Sequence, residues 1–112
     1  MIEVKRGEIW LVNLDPTIGH EIKKSRPAVI IQNDIGNKYG PITIIAPITS
    51  QKIEKVYPFE VHVADLLGKN AKVLLNQIRA IDKKRLIKNL GTVSDETLEK
   101  INEAIKISLG LI

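Results

Sequence analysis

The stretch GHEIKKSRP, residues 19–27, places an imidazole (His20), a carboxylate (Glu21) and three cations (Lys23, Lys24 and Arg26) close together in the chain. An imidazole and a carboxylate can move protons, and fixed cations can hold an anion while they do so. The same string reads equally as a solvated loop, the ordinary fate of a charge cluster. It falls between two strand-like runs, so its polar groups ride on a loop held at both ends by rigid elements, a common place for a site. The other histidine, His62, alternates with Val61 and Val63 in EVHVA and is read as facing outward from a strand.

The elements that must position this loop are short runs rich in β-branched residues. They are EIWLVNL (8–14), PAVIIQ (27–32), ITIIAPI (42–48), FEVHVA (59–64) and AKVLL (71–75). Turn chemistry separates them at Asp15-Pro16, Asn33-Asp34, Gly36-Asn37, Gly40-Pro41, Tyr57-Pro58 and Gly68-Lys69-Asn70. With no helical segment between them for a parallel crossover, the strands imply an antiparallel sheet that curls into a small barrel. The period then changes: Leu98, Ile101, Ile105, Leu109 and Ile112 line one face of a C-terminal helix, with Ser94 or Asp95 as its cap. A shorter helical turn is expected from Asp82 in DKKRLIKNLG, closed by Gly91.

A chain of 112 residues with 44% apolar content suits a single domain, 1–112. Its formal charge of +4 leans toward a polyanionic partner without requiring one. The absence of cysteine excludes disulfides and a thiolate nucleophile or ligand. The start MIEVKRGEIW lacks an apolar signal-peptide core, and no apolar run approaches membrane-spanning length, so a soluble, cytoplasmic chain is expected.

The ordered string RGEIWLVNLDPTIGHE, RPAVIIQND, ITIIAPITSQ and LLNQIRAIDKKRL resembles the MazF and PemK/Kid toxins, from Arg6 to the final helix. These are sequence-specific endoribonucleases of bacterial toxin–antitoxin pairs. The resemblance implies a mainly β fold, an SH3-like small antiparallel barrel with a C-terminal helix, working as a homodimer. It implies cleavage of single-stranded RNA without metal or cofactor: the 2′-hydroxyl attacks the adjacent phosphate, leaving a 2′,3′-cyclic phosphate and a 5′-hydroxyl. It also implies a cognate antitoxin of the MazE type, with an acidic, partly disordered tail.

Carried onto this sequence, the resemblance makes Arg26 the electrostatic catalyst. A guanidinium stays protonated and presents paired donors to a phosphate. Thr49 corresponds to the family's catalytic threonine, and its hydroxyl is a hydrogen-bond partner rather than a strong base. His20 matches a histidine of the Kid branch and is read as acid, base or phosphate ligand, with Glu21 orienting it, accepting a proton or remaining solvated. Asn76 stands where that branch has an acidic residue, and an amide cannot be a general base. Lys23, Lys24, Ser50, Gln51, Lys52, Asn76 and Gln77 are the expected RNA contacts, while Arg79 is left between structural and functional roles. Two other readings are a non-catalytic barrel that binds RNA or protein, and a gyrase poison of the CcdB type. The latter lacks support from the C-terminal SLGLI, which has no aromatic residue.

Overall fold

The computed structural model describes residues 2–112. Its strands are β1 (Glu8–Asn13), β2 (Ser25–Ile30), β3 (Ile42–Thr49), β4 (Glu60–Leu66), β5 (Lys69–Leu74), β6 (Arg79–Asp82) and β7 (Leu86–Thr92). Two α-helices, α1 (Asp34–Tyr39) and α2 (Asp95–Ser108), complete the chain with a 3-10 turn at Lys83–Arg85. All the strand pairings are antiparallel. The order is β4-β5-β3-β2-β1-β7, with β6 also on β3. β4 and β7 end this order without pairing each other, so the expected small barrel is a half-barrel.

The curl is made at β3, which changes partner along its length. Ile42 to Ile45 face β6, whereas Ile48 and Thr49 face β5. Pro47 lies at the changeover, a position that needs no N–H donor for either ladder. Alternating side chains along the strands feed two cores. One gathers Ile9, Val29, Ala46, Ile48, Val61 and Val73 against Ile101 and Ala104 of α2. The other gathers Trp10, Val12, Leu14, Ala28, Ile30 and Ile45, with Ile22 of the 14–24 loop packed against it. The loop bearing the charge cluster is therefore fastened to a core by Leu14 and Ile22, while Ile18 stays exposed.

Several local expectations are corrected by tertiary pairing. β2 begins two residues earlier than its hydrophobic run, because Ser25 and Arg26 pair with Asn13 and Val12. Asn33 to Asn37 is not a turn between strands: Asn33 accepts from Gly36 N and caps α1. The segment after Asp82 makes only the 3-10 turn and then continues as β7 along β1. Gly91, at φ 137°, faces Ile9 beside a bulge in that ladder and closes no helix. Ser94 does cap α2, accepting from Thr97 N. The helix ends at Ser108, leaving Leu109 and Ile112 exposed beyond its buried face. No helix among the described residues is long and apolar enough to cross a membrane.

Candidate active site

The 14–24 loop is held by backbone and side-chain bonds that leave its charged ends outside. Leu14 N–H donates to Lys24 O (3.0 Å), and Lys24 N–H donates to Asp15 Oδ1 (3.0 Å). Lys24 takes a left-handed φ of 66° to make this closure. Arg79 Nη1 donates to Leu14 O (3.0 Å), and Arg85 Nη1 donates to Asn13 O (3.1 Å) and to Asp15 O. Ile22 N–H donates to Gln77 Oε1 (2.9 Å), which ties the middle of the loop to the β5–β6 connection. Arg79 thus acquires a structural role that its sequence position left open, although it also borders the cleft described next.

His20 and Glu21 line a cleft of about 610 Å³ with Ile22, Pro47, Asn76 and Gln77. Glu21 is partly occupied by its own turn, accepting from Ile18 N–H through Oε1. His20 and Asn76 are exposed there. Ser25, Arg26 and Ser50 line a second cleft of about 290 Å³, together with Ile48 and Lys69. The expected site is therefore distributed over two clefts, each taking one end of the same loop. Lys23, Lys24, Gln51 and Lys52 are exposed around them.

Strand register puts Arg26 and Thr49 at the same level, just beyond the end of the β2–β3 ladder. β2 and β3 are bonded from Ile30 opposite Ile45 to Ala28 opposite Pro47; counted two residues further along both strands, Arg26 comes level with Thr49. Thr49 itself is buried, and its Oγ1 accepts from Gln51 N–H (3.1 Å). Its hydroxyl proton remains available to donate, which suits a positioning role better than a basic one.

The four arginines differ in what they have left to offer. Arg6 uses Nε on Ile31 O (2.8 Å) and Nη2 on Asn102 Oδ1 (2.7 Å), while Arg79 and Arg85 each spend an Nη group on backbone carbonyls. Arg26 donates only Nε, to Lys23 O (3.1 Å), and no hydrogen bond among the described residues uses its Nη groups. The one bond orients the planar guanidinium and leaves its Nη donors uncommitted. This is the arrangement that paired recognition of a phosphate needs.

Three polar residues of this region escaped the sequence reading. Lys69 reaches the Arg26 cleft because Leu67 and Gly68, at φ 52° and 83°, make a tight left-handed hairpin turn that sets the strand after it. Lys72 and Glu60 form an ion pair at 2.9 Å whose side chains are each 7% exposed. The only sequence signal for them was a lysine inside an apolar strand run and a glutamate at the head of another. Among the described residues, no group of three His, Asp or Glu side chains is arranged to hold a metal ion.

Residues 5–109 match the family described as PemK-like, MazF-like toxin of type II toxin-antitoxin system. The chain is 42% identical over 112 residues to Endoribonuclease EndoA of Bacillus subtilis strain 168, covering 97% of each. In structure it is similar to MazF (Form-I) of Deinococcus radiodurans, with a TM-score of 0.85 and 27% identity over 98% of this chain and 99% of that one. It is also similar to the MazE–MazF (Form-II) structure from the same organism, with a TM-score of 0.79 and 26% identity over the whole of both chains.

Proposed function

Because the chain belongs to the PemK-like, MazF-like toxin family of type II toxin–antitoxin systems, we propose that it is an endoribonuclease that cuts single-stranded RNA. The 2′-hydroxyl attacks the adjacent phosphate, giving a 2′,3′-cyclic phosphate and a 5′-hydroxyl. The observation that carries this reading is the uncommitted guanidinium of Arg26, oriented by Lys23 O at a cleft and level with Thr49. A pentacoordinate phosphorane carries more negative charge than the ground state, and preorganised donors stabilise that difference. Thr49 donates to a phosphate oxygen or steadies the 2′-hydroxyl. His20, exposed in the neighbouring cleft, supplies an imidazole for proton transfer or phosphate binding, and Glu21 beside it helps shape its turn.

Lys23, Lys24 and Lys52 line the approach as a positive rim, and Ser50, Gln51, Asn76 and Gln77 provide polar groups for splayed bases. Similarity to a MazE–MazF structure supports a cognate antitoxin as the partner. Its acidic tail would occupy this rim and occlude the RNA. The exposed Ile107, Leu109, Leu111 and Ile112 provide apolar surface for the homodimer.

The deciding experiment incubates purified protein with a long RNA in EDTA and maps the ends. Cleavage with 2′,3′-cyclic phosphate and 5′-hydroxyl termini is expected. Binding without cleavage would favour a non-catalytic barrel, and inhibition of gyrase in place of cleavage would favour the CcdB-type reading.

A further inference from the structure

Thr49 lies directly opposite Lys72 in the β3–β5 ladder, and Lys72 lies opposite His62 in the β5–β4 ladder. Directly opposed residues share a face of the sheet, and Glu60, two residues before His62, shares it too. The reverse face carries Ile48, Val61 and Val73 into a core. On the polar face, Lys72 Nζ donates to Lys55 O (3.1 Å) and to Glu60 Oε1 (2.9 Å). The same Glu60 oxygen accepts from Tyr57 N–H (3.0 Å), and Glu60 N–H donates back to Tyr57 O (2.8 Å). Lys72 therefore stands beside the residue at which the 50–59 loop departs and grips the backbone by which it returns.

We propose that Lys72, paired with Glu60, is a positioning residue that locks the 50–59 loop in the shape that selects among RNA sequences. This rests on the endoribonuclease reading above. The loop carries Ser50, Gln51, Lys52 and Lys55, and Lys55 Nζ also stands 5.0 Å from the Tyr57 ring, which stacks on Phe59. Lys72 lines neither cleft, so it acts through the loop and touches no reacting atom. An ion pair this deep is a poor means of gaining stability, because desolvation of both charges offsets most of their attraction and an apolar pair does as well or better. What the ammonium provides and an apolar side chain cannot is several directed donors, used here to fix a carbonyl and a carboxylate in one geometry.

The test compares wild type with the double variant Lys72→Met/Glu60→Leu, which removes both charges and leaves no buried ion unpaired. Amide exchange is measured without RNA, and kcat/KM is measured on an oligonucleotide bearing the preferred cleavage site and on its single-base variants. The double variant should fold and melt within a few degrees of wild type. Tyr57 N–H should lose protection, and discrimination between oligonucleotides should fall by about tenfold, the weight of one hydrogen bond to a charged group. Glu60→Gln, which keeps an acceptor for both Lys72 and Tyr57 N–H, should retain most of that discrimination. A double variant that failed to fold, or lost activity equally on every oligonucleotide, would assign the pair to stability and overturn the proposal. So would unchanged protection and unchanged discrimination. A wild-type protein that cut no RNA would instead overturn the endoribonuclease reading, and with it the recognition half of this proposal; Tyr57 exchange would still decide whether the lock exists.

Discussion

Arg26→Ala should leave the protein folded and lower RNA cleavage by roughly 10²- to 10³-fold, on the order of 3–4 kcal/mol of transition-state stabilisation. The fold should survive because the side chain is only half-buried and makes one internal hydrogen bond, to Lys23 O. Cleavage should fall because its Nη donors are uncommitted, whereas those of Arg6, Arg79 and Arg85 are at least partly spent on the protein itself. Arg26→Lys should recover part of the rate, since an ammonium restores charge but not the paired planar donors. Single-turnover cleavage of a defined oligonucleotide, alongside circular dichroism, separates the two effects. A folded Arg26→Ala protein cutting within a few-fold of wild type would remove Arg26 from the catalytic centre and return the GHEIKKSRP string to a solvated loop.

The loop could be located from sequence because β1 and the core of β2 announce themselves through β-branched runs, and charge between two such runs is visible. The division of its two ends between separate clefts was not legible. That division follows from the bend of β3 at Pro47, which brings the 75–78 connection to His20 and the β4–β5 hairpin to Arg26. A propensity reading of Asp82 onward saw charged residues before a glycine and inferred a helical end. Pairing of β7 with β1 overrides that local preference, as tertiary context commonly does for weak helical segments. Lys72 was hidden for a related reason: its significance lies in Lys55 and Glu60, 17 and 12 positions away, which only the β4–β5 register brings into contact.

Trp10→Ala should cost about 3–5 kcal/mol of folding stability, the usual range for deleting a buried large aromatic. Trp10 is 8% exposed in the core that also holds Val12, Leu14, Ala28, Ile30 and Ile45. Its indole Nε1–H is partnered by Glu8 Oε1 (3.1 Å), so truncation removes a satisfied side chain as well as its volume. Against a total of about 5–15 kcal/mol for a domain, this loss brings the protein close to its threshold, and the urea midpoint should fall accordingly. The site should feel the loss before global unfolding, because Ile22 packs on the same cluster and carries the loop between His20 and Arg26. Ile22 N–H, bonded to Gln77 Oε1, should therefore lose exchange protection under conditions where Val29 and Val73, in the opposite core, retain theirs. A folding stability within about 1 kcal/mol of wild type, or simultaneous loss of protection at all three amides, would break the link between this core and the loop, leaving the loop to its hydrogen bonds, those of Leu14, Lys24 and Ile22 with those from Arg79 and Arg85.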